Sequence, residues 1–242
     1  MNKGPILPFF LRLFWTLAIP FLLTMTGARL LLSEVFLEFE YQRPGFPSDF
    51  YGFTLADRLA YGPYALRFLF NGEPIDYLAE LRLPGENCWN IESGASDCRL
   101  FSDRELEHMR DVKEVASLSF AAALACIALG GASIVSGLVN KRLRVDILLG
   151  IRRGCMLTLI AVACLALLSL SAWDRAFDLF HQLFFPEGTW RFPFSDSLIR
   201  LYPEQLFFDA AVAIALLVSM GAALIFLAAS RLTARNFTGS QR

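Results

Sequence analysis

Histidine is scarce in this chain: His108 and His181 are the only two among 242 residues. A paired-histidine metal site would therefore need a third ligand, and no residue stands at metal-motif spacing to supply one. There is no Gly-x-Ser-x-Gly elbow, so the nucleophile turn of the α/β-hydrolases is absent. A phosphate-cradling glycine loop and a His-Glu-x-x-His helix are missing too, which removes the usual signatures of nucleotide chemistry and zinc proteolysis. Of five cysteines, Cys126, Cys155 and Cys164 lie in apolar runs without acid–base neighbours and read as small packing residues. Acidic residues are absent from most of the chain. Of 23, all but Asp146 fall within 34–114 or 174–209.

What is present in excess is apolar sequence. Hydrophobic residues make up 55% of the chain and the mean hydropathy is +0.48, and they gather into long runs, as in integral membrane proteins. Four runs, 7–32, 115–139, 154–173 and 207–229, reach the roughly 20 residues needed to cross a bilayer. The first is longer than a signal-peptide core and no Ala-x-Ala site follows, so it is expected to be a retained helix, with Arg12 and Arg29 at its ends. The short connection after the second span carries Lys141, Arg142, Arg144, Arg152 and Arg153, and such basic flanks stay cytoplasmic.

The expected architecture is an all-α integral membrane protein with four transmembrane helices and a small helical extracytoplasmic domain. Residues 1–33 form a cytoplasmic N-terminus and first helix, 34–113 an extracytoplasmic helical segment, and 114–139 the second helix. A basic cytoplasmic connection (140–153), read as a short surface helix, leads to the third helix (154–173). An extracytoplasmic segment with histidine and aromatics (174–206), the fourth helix (207–230) and a cytoplasmic tail (231–242) complete the chain. Cys88 and Cys98 fall outside, where an oxidising compartment permits a disulfide; two free thiols are the other reading.

Within the first outer segment, Thr54 and Asp57 mark a helix start. Gly62-Pro63 is expected to break or bend that helix. Glu73-Pro74 opens a second, short one. Ser102-Asp-Arg-Glu105 is a capping box from which one helix can run through Lys113 into the second span. In the second outer segment, Trp173, Ala176, Phe177, Phe180 and Phe184 follow helical spacing, so the third helix is expected to continue outward. Trp190-Arg-Phe-Pro-Phe194 is an aromatic loop at headgroup level.

His108 precedes Val115 by seven residues and His181 follows Trp173 by eight, roughly 10 and 12 Å outside their spans on straight helices. Each has a carboxylate within reach on its own helix, Glu105 or Asp111 for His108 and Asp178 for His181. A carboxylate holding one ring nitrogen leaves the other free to take a proton. Solvated interfacial histidines and a paired-histidine metal site are the competing readings.

Glu105-Leu-Glu-His108-Met-Arg-Asp111-Val-Lys113 before a membrane helix resembles a hallmark of the lipoprotein intramolecular transacylase family of bacterial four-helix membrane proteins. So do Phe180-His181-Gln-Leu-Phe-Phe, Trp190-Arg-Phe, Asp196 and Leu201-Tyr-Pro-Glu-x-x-Phe-Phe208, and more weakly Tyr51-Gly-Phe-Thr-Leu-Ala-Asp-Arg58. The resemblance covers nearly the whole chain; the loop holding Cys88 and Cys98 departs from it. It implies an enzyme that moves the sn-2 acyl chain of a diacylglyceryl lipoprotein onto the α-amino group of its N-terminal cysteine, leaving a lyso-form lipoprotein. It implies His108 and His181 as catalytic residues, no cofactor and no metal. Diacylated lipoprotein and membrane lipid would be partners, and nucleic acid would not. The location would be the bacterial cytoplasmic membrane, with the site on its extracytoplasmic face. Tyr202, Arg191 and backbone amides near Gly188 are candidates to stabilise an oxyanion. A non-catalytic lipid- or peptide-binding sensor or accessory module is the alternative; it does not need the two histidines to converge.

Overall fold

The computed structural model describes residues 6–84 and 98–238. Among these the chain is helical apart from turns and one isolated antiparallel bridge between Arg82 and Arg99. The order is α1 Ile6–Leu31, α2 Glu34–Gln42, α3 Leu55–Phe70, α4 Asp76–Ala79, α5 Asp103–Val139, α6 Lys141–Ser171, α7 Trp173–Phe184, α8 Ser197–Leu201 and α9 Glu204–Thr238. Helices α1, α5, α6 and α9 are each long and apolar enough to span a membrane. The chain divides into two compact units.

One unit is drawn from Met1–Ala28, Ser119–Ala172 and Val212–Arg242. Its helices expose Leu124, Ile127, Leu165, Leu216 and Leu224, because hydrocarbon solvates such residues as well as a protein core does. Association must then come from close packing and polar contacts. Gly150 and Gly154, one turn apart on α6, let the backbone of α1 approach. A Cβ at Gly150 would lie 2.8 Å from the Arg12 carbonyl oxygen, and one at Gly154 2.7 Å from that of Trp15. Trp15 fills the centre with Ile19, Ile147, Cys155 and Ala222, and its indole N–H donates to Ser133 Oγ at 3.0 Å. Asp146, the one acid outside 34–114 and 174–209, accepts from Arg12 Nε at 2.7 Å.

The basic connection is not a separate helix. Asn140 caps α6 by accepting the amides of Arg142 and Leu143, so 141–153 forms its first turns. Arg144 reaches back to the Gly137 and Leu138 carbonyls at 3.0 and 2.9 Å, satisfying acceptors that the end of α5 leaves open. Burial of Ile147, Leu148 and Gly150 draws this stretch into the helix packing and away from a surface role.

The other unit comprises Arg29–Leu118 and Trp173–Ala211, and α3 lies at its centre. Thr54 and Asp57 form the capping box that starts α3. The helix runs unbroken through Gly62-Pro63, contrary to expectation. Gly62 and Pro63 are buried; a Cβ at Gly62 would lie 2.5 Å from the Tyr41 hydroxyl, and the Tyr202 hydroxyl donates to the Gly62 carbonyl. Tertiary packing therefore holds the turn that Pro63 weakens. Leu37, Tyr41, Phe68, Leu78, Leu100, Phe101, Leu106 and Leu201 build the core around it. Helix α2 was not foreseen, since its apolar residues lie on both faces: Leu37 and Tyr41 are buried, Val35 and Phe39 exposed.

A buried ion pair joins the loop before α3 to α8. Arg200 and Asp49 meet at 3.0 Å with side chains only 1% and 4% exposed, and the guanidinium lies 3.5 Å over the Phe53 ring. Helix α6 ends at Ser171, and Ala172, at φ −158° and ψ 72°, separates it from α7. The third span therefore does not continue outward as one helix, and the depth of His181 cannot be counted along it. Leu179, Phe180, Leu183 and Phe184 on α7 are exposed while His181 is buried. Cys98 is disulfide-bonded; Cys88, the other member of the expected pair, lies outside the described residues.

Gly154→Leu should force α1 away from α6. Overpacking of this kind costs about 1–3 kcal/mol, and the expected outcome is a lower thermal midpoint for detergent-purified protein.

Candidate active site

The first turns of α5 are set by Glu105. Its Oε2 accepts the Ser102 amide at 2.7 Å and the Ser102 hydroxyl at 2.9 Å, as the capping box requires. Its Oε1 accepts the Leu198 amide of α8 at 2.6 Å. Burial pushes the Glu105 carboxyl up, and these hydrogen bonds pull it back. One turn further along α5 stands His108. From α7 comes His181, its Nδ1 2.8 Å from the Phe177 carbonyl. That carbonyl is an acceptor, so Nδ1 carries the hydrogen and Nε2 keeps its lone pair.

The two imidazoles converge. Their ring centroids are 6.4 Å apart with planes inclined at 28°, and both residues are buried, 7% and 8% exposed. Aromatic side chains wall them in. His108 packs edgewise on Phe185 and Phe192 at 5.0 and 5.5 Å. His181 lies between Phe177 at 4.1 Å and the stacked ring of Trp190 at 5.8 Å. The box disfavours charge. Burial, with the neighbouring His181, lowers His108 to about 4. Burial also lowers His181, partly offset by the Phe177 carbonyl and the Asp178 carboxylate. Both rings are therefore neutral near pH 7.

Two of the expected carboxylate partners, Glu105 and Asp178, are engaged elsewhere. Glu105 caps α5 and holds α8. The buried Nδ1 of His108 has no hydrogen-bond partner among the described residues, so neither Glu105 nor Asp111 holds it there. Asp178 accepts from Arg191 at 2.8 Å and, at a long 3.5 Å, from the Trp190 indole. It therefore steadies the loop whose tryptophan stacks on His181. Tyr202 is buried with its hydroxyl given to Gly62, and Arg191 is paired with Asp178. Local geometry explains this. A capping carboxylate finds backbone amides three residues away before it can reach an imidazole across the helix surface.

No sequence signal marks Phe185, Phe192 and Trp190 as site residues, although the aromatic loop is visible in the sequence. Phe177, Trp190 and Phe192 also line a cleft of about 800 Å³ that includes Tyr51, Asp174 and Glu204. The imidazoles touch those rings without lining the cleft themselves. Among the described residues no group of three or more His, Cys, Asp or Glu could hold a metal ion.

Residues 12–208 match the family described as lipoprotein intramolecular transacylase Lit. A protein of Aquifex aeolicus (strain VF5), described as uncharacterized, is 29% identical over 202 residues, covering 82% of this chain and 83% of its own. The solved structure of the membrane-integral lipoprotein intramolecular transacylase Lit from Bacillus cereus has a TM-score of 0.73 at 22% identity, covering 96% of this chain and 98% of that one. The same protein with a histidine-to-arginine mutation has a TM-score of 0.66 at 20% identity, covering 96% and 95%. At these identities the solved structures share the fold.

A histidine depressed in the fold destabilises it in acid. The unfolded chain takes up the proton first, so the contribution of His108 is complete above about pH 6.5 and is lost as pH falls toward about 4. The loss is about 3 kcal/mol at most. Thermal unfolding of His108→Gln should show a shallower decline across that window than the unmodified protein.

Proposed function

The chain belongs to the lipoprotein intramolecular transacylase family, and from that premise we propose that it moves the sn-2 acyl chain of a diacylated lipoprotein onto the α-amino group of the lipoprotein's N-terminal cysteine. The observation that carries the reading is the convergence of its only two histidines in one buried aromatic box. A binding module has no need to bring two neutral imidazoles together out of water.

The chemistry follows from their protonation state. An α-ammonium with pKa near 8 must lose a proton before the nitrogen attacks an ester. A neutral imidazole accepts it, and the Nε2 lone pair of His181 is left available by the Phe177 contact. The nitrogen then bonds to the sn-2 carbonyl carbon. When the tetrahedral intermediate collapses, the bond from that carbon to the glycerol oxygen breaks and the imidazolium returns a proton to the alkoxide. The nitrogen gives up a second proton as it becomes an amide, so of the two protons lost by the ammonium one ends on the glycerol oxygen and the other passes to water, and one proton is released overall. Depressed pKa values make the imidazoles modest bases and their conjugate acids ready donors, which suits the second half of the sequence. Nucleophile and ester belong to one molecule, so positioning supplies much of the rate. The aromatic side chains that line the cleft and touch the imidazoles would turn aside to admit the glycerol head.

The site faces the extracytoplasmic side of the bacterial cytoplasmic membrane. The exposed Leu179, Phe180, Leu183 and Phe184 of α7, and the basic residues between the second and third spans, support that placement.

His108→Ala and His181→Ala should each slow acyl transfer by about 10²–10⁴-fold, read by mass spectrometry of a diacylated lipopeptide incubated with purified protein. His→Gln variants control for lost volume. Full activity in either would remove that histidine from the mechanism.

A further inference from the structure

We infer that a pocket at the C-terminal end of α1 binds the phosphodiester of a membrane phospholipid, separately from the lipoprotein substrate. The pocket, about 510 Å³, is lined by residues of α1, α2 and α3, with Tyr77 of α4. Arg29 is its principal cation. The guanidinium lies 4.2 Å over the Phe70 ring and makes one long bond, 3.3 Å, to the Leu32 carbonyl. It has no carboxylate partner among the described residues, so most of its five N–H donors are unspent. A planar fork of that kind matches two phosphate oxygens.

The other polar groups are arranged to leave the pocket cationic. Arg67 and Glu34 neutralise each other through two bonds of 2.7 and 2.6 Å, so Arg29 sets a net charge of +1 on the lining. Asn71 Oδ1 accepts from Lys113 Nζ and from the Glu73 amide, both at 3.2 Å. Its amide N–H groups therefore remain as donors, with a second cation beside them. Leu32, Leu66 and Phe70 complete the wall, and Leu30 beside them is exposed. Donors next to apolar surface at the end of a membrane span fit a headgroup phosphate whose acyl chains extend into the bilayer. The diacylglyceryl group of a lipoprotein is joined to sulfur and carries no phosphate, so this chemistry selects bulk lipid over substrate.

The test is retention of phospholipid by purified protein, measured by native mass spectrometry after exchange into mild detergent with added phosphatidylglycerol. The unmodified protein should hold one phospholipid. Arg29→Gln should weaken binding at least about tenfold, Arg29→Lys should retain part of it, and Arg110→Gln, an exposed arginine outside the pocket, should bind normally. Diacylglycerol, lacking the phosphate, should not be retained. Arg29→Gln should still transfer acyl chains on a lipopeptide. Equal retention by Arg29→Gln, or equal retention of diacylglycerol, would overturn the proposal. Displacement by millimolar inorganic phosphate would make it a free-anion site, and loss of acyl transfer with phospholipid still bound would make it part of the substrate site; either also overturns it.

Discussion

A single buried carboxylate holds the geometry of the histidine box in place. Glu105 is 2% exposed and receives hydrogen bonds from Ser102 on its own helix and from the Leu198 amide. A carboxylate removed from water is costly unless its lone pairs are met, so these donors define where α5 begins and where α8 lies against it. His108 follows one turn later. On the far side of α8, Arg200 is locked to Asp49 and Tyr202 to Gly62. The segment between α7 and α8 carries Trp190 and Phe192, so the walls of the histidine box are positioned by the same network. Glu105, Asp178, Arg191 and Tyr202 are held in structural contacts, which is why the proposed chemistry is assigned to the two imidazoles.

Two different kinds of cohesion serve the two units. Around α3, apolar residues leave water and the hydrophobic effect acts in the ordinary way. Among the spans that force is absent, and close approach at Gly150 and Gly154, the Trp15–Ser133 hydrogen bond and the Arg12–Asp146 pair take its place. At the histidines burial bears directly on the proposed chemistry. Aromatic rings that exclude water keep both neutral at pH 7, the state in which an imidazole can accept a proton from an ammonium.

Much of this was legible in the sequence. Four apolar runs gave the spans, and the signals at Thr54–Asp57 and Ser102–Glu105 gave the starts of α3 and α5, because caps act over three residues and do not depend on the rest of the fold. The scarcity of histidine drew attention to His108 and His181. Longer-range choices were not legible. The identity of the groups that would claim Glu105, Asp178 and Tyr202 depended on Leu198, Arg191 and Gly62, each far away in sequence or across a loop. The break at Ala172 has no proline or glycine to announce it. Pro63 announced a break that burial of its turn prevented. The Cys88 half of the expected disulfide lies outside the described residues, while Cys98 is bonded.

The central claim is that His108 and His181 act as one unit. A double-mutant cycle tests it most directly, with acyl transfer on a diacylated lipopeptide compared among the protein, His108→Ala, His181→Ala and the double variant. Residues that act together are strongly non-additive, so the double variant should be about as slow as the slower single one. Losses that multiply would contradict the account, because they would mean that each histidine contributes independently of the other.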